Sequence, residues 1–127
     1  MERRSITGHS PYEPVMGYAR AVVVGSNVYV AGTAPIPADG SPPPEGAYEQ
    51  TLLCLEIVRE ALGKAGARME DVVRTRVFLT DASDFDEMAR AHGEVFRDIR
   101  PVNTTVLISL LDPRWKLELD VDAVLPS

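Results

Sequence analysis

The stretch Pro101–Val124, PVNTTVLISLLDPRWKLELDVDAV, decides the fold. Apolar residues alternate with other residues along Thr105–Leu110, and they alternate more strictly along Lys116–Ala123. This two-residue period is that of a β-strand with one face in a core. Asp112 and Pro113 lie between the two runs and are residues that favour turns. The sequence therefore predicts two strands joined by a short turn.

The second of these strands separates its side chains into an apolar face and a charged face. Carboxylates on alternate residues lie about 7 Å apart along a strand. Like charges in a row are unfavourable unless water, cations or hydrogen-bond donors meet them. We expect this face to be either solvated surface or the wall of a site. The apolar face consists of Leu117, Leu119, Val121 and Ala123, and the charged face of Lys116, Glu118, Asp120 and Asp122.

Length and composition indicate one globular domain, 1–127. A chain of 127 residues has no room for a second core, and no apolar run approaches the length of a membrane span. Two arginines near the N-terminus are not followed by an apolar run, so residues 1–14 do not resemble a secretory signal. The single cysteine, Cys54, cannot form an internal disulfide. These features predict a cytoplasmic protein with no membrane association.

The charge of the chain argues against a nucleic-acid partner. The formal net charge is −6 at pH 7 and the pI is about 4.8. A protein that binds a phosphate backbone usually presents a basic surface, which this composition lacks. No group of histidine, cysteine and acidic residues has the spacing of metal ligands, so we predict no metal site.

The remaining elements follow from turn formers and from the spacing of apolar residues. Five prolines in residues 35–46 predict a surface loop. Residues 1–17 are expected to be an extended or irregular lead-in, irregular over 1–10. A hairpin, two amphipathic helices and a further strand are predicted from the periodicity. They are the strands Tyr18–Val24 and Val28–Ala31, the helix Ala47–Ala65, the strand Val72–Leu79, and a second helix that is capped within Asp81–Asp84, has its apolar side between Phe85 and Phe96 and is ended by Ile99–Pro101.

The predicted order is β-β-α-β-α-β-β, which is an α+β fold. Two helices can cover one face of a five- or six-stranded mixed sheet, and the other face has no cover within the chain. Such a face is usually buried by self-association or presented to a ligand.

Five segments together resemble the YjgF-type Rid family, which is also labelled the L-PSP endoribonuclease family. They are Gly17–Ala21 (GYARA), Val30–Thr33 (VAGT), Val72–Phe78 (VVRTRVF), Ala91–Phe96 (AHGEVF) and Ile99–Pro101 (IRP). The resemblance implies a bacillus-type chorismate-mutase-like fold, no cofactor, and a homotrimer with small-molecule clefts at the subunit interfaces. The best-known members hydrolyse reactive enamines and imines, releasing ammonia and a 2-keto acid.

The arginine that clamps the substrate carboxylate in deaminase members is absent. The family's Pro-Ala-Arg-Ser motif matches Pro101–Thr104, so Asn103 stands in the arginine's place. A family serine is replaced by Ala31, and a family asparagine by Ala89. The chain is therefore similar to the branch lacking the arginine. We predict little 2-iminobutanoate deaminase activity and a cleft suited to a neutral ligand.

The resemblance also supplies a set of candidate site residues. Asp122 matches a glutamate that positions the attacking water, and Tyr18 matches a tyrosine of the cleft wall. Backbone groups near Gly32 are expected to polarise the substrate. The full set is Asp122 as the catalytic residue, with Tyr18, Gly32, Thr33, Asn103 and Thr104 as substrate-binding residues.

Three functions remain open from the sequence. The first is a hydrolase acting on imines, enamines or related C–N substrates. The second is a small-ligand-binding trimer without chemistry, because a fold does not by itself carry an activity. The third is an endoribonuclease, which the family label suggests and the acidic charge opposes. His92, Cys54 and Trp115 are interpreted as structural residues, and Asp122 could equally be a solvated surface acid.

Overall fold

A computed structural model describes residues 1–127 and shows a six-stranded mixed sheet with helices on one face. The strands lie in the order β1-β2-β3-β6-β4-β5, and only β4 and β5 pair in parallel. This arrangement confirms the predicted α+β fold. The elements are β1 (Arg3–Ile6), α1 (Tyr12–Met16), β2 (Ala21–Val24), β3 (Asn27–Thr33), α2 (Ala47–Lys64), β4 (Val72–Leu79), α3 (Phe85–Phe96), β5 (Val102–Leu107) and β6 (Leu117–Val124).

The core lies between the sheet and the two long helices. Alternate side chains of β6, Leu117, Leu119 and Val121, are fully buried, as the two-residue period predicted. Val58 and Leu62 of α2 belong to the same buried cluster. They are four residues apart and so lie on one side of the helix. None of the helices combines the length and apolar composition that a membrane span requires.

The opposite face of the sheet carries the charged side chains. Asp120 and Asp122 of β6 remain partly exposed there, and arginines of the neighbouring strand β4 meet them. Arg76 Nε donates a hydrogen bond to Asp120 Oδ1 at 2.9 Å, and Arg74 Nη1 lies 3.8 Å from Asp122 Oδ2. The acids that looked unfavourable in the sequence are therefore partnered by cations across the strand pair.

The two strands predicted along Pro101–Val124 are present, but the short turn predicted between them is instead a connection over residues 108–116, and the strands are not neighbours in the sheet. β6 is paired with β3 and β4, whereas β5 lies beyond β4 and pairs with it in parallel. Alternation identifies the buried face of a strand but carries no information about which strand is its neighbour. The connection after β5 crosses the end of β4 and contributes Leu111 and Trp115 to a pocket.

The N-terminal segment is also more ordered than predicted. Residues Arg3–Ile6 form the edge strand β1, which pairs antiparallel with β2 from Arg3 opposite Val24 to Ile6 opposite Ala21. Helix α1 follows, and Gly17 ends it in a left-handed conformation with φ of 77°. The strand has only four residues, two of them arginines, so the sequence shows no alternation that would predict it. Its strand conformation depends on pairing with β2.

Candidate active site

A cavity of about 280 Å³ opens beside α1, the end of β3 and the start of β6. Two residues predicted for the site, Tyr18 and Gly32, line this cavity. The other lining residues are mostly apolar and come from segments distant in sequence. They are Ser10, Tyr12, Met16, Arg20, Ala31, Ala34, Ile36, Leu111, Trp115 and Glu118.

Gly32 lies at an irregularity in the pairing of β3 with β6. The register runs regularly as far as Val30 opposite Val121 and resumes, shifted, at Thr33 opposite Leu119. A Cβ atom on Gly32 would lie 2.8 Å from Glu118 Oε1, closer than a side chain can come. Because the glycine has no side chain, the carboxyl group of Glu118 can approach the irregular backbone.

Glu118 is the acid that the fold places in the pocket. Its side chain is half-buried, and burial raises the pKa of its carboxyl group above the usual glutamate range. The Arg20 guanidinium acts in the opposite direction, and the neighbouring Asp120 adds to the rise in pKa. A carboxyl group with its pKa shifted toward neutral pH, in a mostly apolar pocket, is suited to general acid–base chemistry.

The raised pKa of Glu118 predicts a pH-dependent effect on stability. A pKa higher in the folded than in the unfolded chain favours folding at low pH, and this contribution is lost as the pH rises through the folded pKa. Glu118→Gln is therefore expected to raise the Tm relative to wild type near pH 8, with the difference vanishing toward about pH 4. Thermal unfolding across this range tests it, with Glu45→Gln, an exposed glutamate, as control. A Tm difference independent of pH would contradict the assignment.

Arg20 is a buried cation on the wall of the same pocket. Only 5% of its surface is exposed, and Nη2 donates a hydrogen bond to the carbonyl oxygen of Gly32 at 2.7 Å. Its guanidinium carbon lies 6.0 Å from the centre of the Tyr18 ring. Nε is buried and has no hydrogen-bond partner. Arg20 stands in the Gly17–Ala21 segment that carries the family resemblance, and the sequence suggests it as a substitute for the missing clamp; its burial is visible only in the structure.

Asp122 lies outside the pocket. It is opposite Tyr29 of β3 and Arg74 of β4, and its Oδ2 is 3.7 Å from Arg76 Nη2. Four residues along β6 separate it from Glu118, which corresponds to about 13 Å along a strand. The structure therefore does not bring Asp122 together with Tyr18 and Gly32 within one chain. Its catalytic role stays a prediction.

Thr33 and Thr104 also lie away from the pocket. The Thr33 side chain is fully buried, and its hydroxyl donates to the carbonyl oxygen of Ala31 at 2.8 Å. Thr104 is exposed on the edge strand β5, opposite Arg76 of β4. Within one chain, neither side chain is placed to contact a molecule bound beside Gly32.

Asn103, exposed on the edge strand β5, takes part in a chain of hydrogen bonds that extends to His92 of α3. Its Nδ2 donates to Thr75 Oγ1 at 3.0 Å, and its Oδ1 accepts from Thr105 Oγ1 at 2.9 Å. Thr75 Oγ1 also lies 2.9 Å from Nε2 of His92. Both ends of the Asn103 amide are therefore engaged by the protein itself. Burial lowers the pKa of His92, which favours a neutral imidazole in this chain of contacts.

Cys54 and Trp115 are both buried, as a structural role would require. The Cys54 thiol is fully buried, and burial raises its pKa, so its reactive thiolate form is disfavoured. Trp115 packs edge-to-face with Tyr12, with ring centroids 6.5 Å apart. Its ring also lines the pocket, a placement that the sequence interpretation missed.

Comparison with known proteins agrees with the resemblance seen in the sequence. The profile of the family described as Endoribonuclease L-PSP matches residues 7–125. An uncharacterised protein of Streptomyces coelicolor is 37% identical over 121 residues, which is 94% of this chain and 90% of the relative.

Two solved structures show the same fold. A Mycobacterium tuberculosis protein of the YjgF/YER057c/UK114 family is 38% identical, with a TM-score of 0.88 and coverage of 98% of this chain and 100% of that one. The Escherichia coli protein TdcF, solved with bound serine, is 27% identical, with a TM-score of 0.80 and coverage of 95% and 93%. This chain therefore belongs to the Endoribonuclease L-PSP family, which includes the YjgF-type proteins.

Proposed function

We propose that this protein hydrolyses a small imine, enamine or related C–N substrate in the pocket beside Gly32, with Glu118 as the general acid–base. The observation that supports it best is a half-buried carboxyl group of raised pKa, held against a glycine in a mostly apolar pocket. The related protein TdcF was solved with bound serine, which supports a small-molecule ligand for this protein. We prefer Glu118 to Asp122, because Asp122 is paired with arginines outside the pocket.

The proposed reaction needs one group that first accepts and then returns a proton. Ionised Glu118 takes a proton from a water molecule as the water oxygen bonds to the carbon of the protonated imine, whose nitrogen thereby becomes the neutral amine of a carbinolamine. Glu118 then passes its proton to this nitrogen, the C–N bond breaks and ammonia leaves. The C=O bond forms as Glu118 removes the hydroxyl proton and releases it to solvent. Protonated imine and water are thereby converted to a carbonyl compound, ammonia and a proton. A carboxyl group with a pKa nearer neutrality serves both steps better than an ordinary glutamate.

We also propose that the working form is a homotrimer in the cytoplasm. The uncovered face of the sheet exposes apolar side chains, among them Tyr29 at 50% and Val102 at 60%, which assembly would bury. A cyclic trimer closes a heterologous interface, and it would let Asn103 and Thr104 of one chain approach the pocket of the next.

The trimer predicts a mass in solution about three times the 13.9 kDa of the chain. Light scattering at micromolar concentration measures this mass directly. A stable monomer at that concentration would contradict the assembly and would leave Asn103 and Thr104 without a role at the pocket.

A ligand-binding trimer without chemistry is the second candidate. The observation that favours it is the Asn103 amide, which is occupied by Thr75 and Thr105 and offers no fixed positive charge. Endoribonuclease activity is opposed by the net charge of −6.

Ammonia release from freshly generated imines separates these functions. Release above the spontaneous rate supports the hydrolase. Binding of small molecules without any release supports the second candidate. Cleavage of RNA that survives repurification and is lost in an Asp122→Ala variant would overturn both.

A further inference from the structure

We propose that Arg20 is the anion-binding group of the pocket, and that the ligand joins one carboxylate to an apolar body that rests on Trp115. This inference rests on the proposed function of the pocket and names the class of molecule that it accepts. The cation that binds the ligand's carboxylate is then Arg20, directly before β2, and not a residue at the position of Asn103.

The hydrogen bonding of Arg20 is incomplete. A guanidinium has five N–H donors, and the only hydrogen bond of this one runs from Nη2 to Gly32 O. The residue is 5% exposed, its Nε has no partner, and no carboxylate oxygen lies within 4.0 Å of its nitrogen atoms. Buried charges are normally paired, because loss of hydration is costly without compensation. The Glu118 carboxyl group interacts electrostatically with Arg20 but accepts no hydrogen bond from it, so donors of the guanidinium remain for an anion from outside the chain.

The guanidinium of Arg20 is held in a fixed position. The bond to Gly32 holds the guanidinium against the same irregular backbone that the Glu118 carboxyl group approaches. Arg20 and Glu118 line the pocket together but do not form an ion pair. A carboxylate bound to Arg20 would thus hold the neighbouring carbon of the ligand close to Glu118. Such preorganised placement reduces the free energy lost on binding.

The remainder of the pocket is lined by apolar side chains, which determine what the rest of the ligand can be. Trp115 and Tyr12 present aromatic surface to the cavity, and Met16 and Leu111 at its rim are 70% and 87% exposed. Large apolar side chains exposed around a concave site favour an apolar occupant. The volume of about 280 Å³ lies at the small end of ligand sites, about 300–1,000 Å³. An aryl or branched alkyl group with one carboxylate fits both the size and the chemistry.

This inference reverses the expectation of a neutral ligand, which followed from the uncharged Asn103. The loss of an arginine at one position says nothing about cations that other strands supply. Here β2 begins at Ala21, directly after Arg20, and its pairing with β3 brings Arg20 beside Ala31 and Gly32.

The experiment uses the full chain and stable probes, so that it is independent of any hydrolysis. Trp115 is the only tryptophan, and its fluorescence reports on occupancy of the pocket. We would titrate wild type with 3-phenylpropanoate, with its neutral isostere 3-phenylpropanamide, with propanoate and with phenyl phosphate. We expect 3-phenylpropanoate to bind at least about tenfold more tightly than each of the others, because only it offers both the carboxylate and the apolar body.

Two variants test the role of Arg20 itself. Arg20→Gln is expected to bind 3-phenylpropanoate no more tightly than 3-phenylpropanamide. The control is Arg59→Gln, which replaces an exposed arginine of α2 and is expected to keep the wild-type preference for 3-phenylpropanoate. Equal binding of acid and amide by wild type would overturn the proposal whether or not the Arg20 variant folds. Tighter binding of phenyl phosphate, or no binding of any probe, would overturn it as well. If the acid binds selectively but imines are not hydrolysed, the proposed reaction fails while this inference stands.

Discussion

Replacing Glu118 by Gln is expected to lower the rate of imine hydrolysis by about 10²- to 10⁴-fold, the usual contribution of general acid–base catalysis. Glutamine is close to glutamate in shape, so it preserves the approach to Gly32 but cannot exchange a proton with water or with the leaving nitrogen. Ammonia release from freshly generated imine measures the effect, with kcat and KM determined separately. A loss confined to KM would indicate that Glu118 binds the substrate without proton transfer.

Asp122→Asn provides the matched control for this result. Asp122 is on the same strand and the same face, but it lies outside the pocket and is paired with Arg74 and Arg76. We expect this variant to keep most of its activity. If Asp122→Asn were inactive while Glu118→Gln remained active, the assignment of the acid would be wrong and the prediction from the sequence resemblance would be correct.

Replacing Leu119 by Ala is expected to lower the free energy of unfolding by about 2–5 kcal/mol. Leu119 is fully buried at the centre of β6, where it lies opposite Thr33 of β3 and Val77 of β4. Its loss would leave a cavity that neighbouring strands on both sides cannot close. Urea unfolding followed by circular dichroism measures the change, at one fixed protein concentration because assembly contributes to stability.

The control for the core prediction is Leu111→Ala. Leu111 is 87% exposed, so its truncation is expected to change the free energy of unfolding by no more than about 0.5 kcal/mol. A Leu119→Ala variant as stable as this control would show that β6 is not the central strand of the folded sheet.

The fold was largely predictable from the sequence because its main signals are periodic. The helix predicted over Ala47–Ala65 occurs at Ala47–Lys64, and the second helix, predicted to end at Ile99–Pro101, occurs at Phe85–Phe96. The buried side of Leu117–Ala123 was also predicted from its alternation. Strand pairing was harder to predict from the sequence. Arg3–Ile6, for example, has too few residues to show an alternating pattern, and it forms a strand because it pairs with β2.

The site was predictable only in part, because its chemistry depends on contacts between segments far apart in the chain. Tyr18 and Gly32 were identified through the family motifs and lie together in the pocket. Glu118 could not be distinguished from the other acids of β6, since all of them follow the same two-residue period. The shifted register at residues 31–32 is what gives Glu118 its different surroundings. Arg20 belongs to the Gly17–Ala21 motif segment, but its burial and its unpaired donor depend on contacts that no local pattern reveals.

The most direct test of the central claim is a crystal structure of the wild-type protein with 3-phenylpropanoate bound. The pocket beside Gly32 is the functional site in this account, so the carboxylate is expected to accept hydrogen bonds from Arg20, with the phenyl ring against Trp115 and Glu118 next to the chain between them. Electron density for 3-phenylpropanoate among Asp122, Asn103 and Thr104, together with an empty pocket beside Gly32, would contradict this assignment of the functional site.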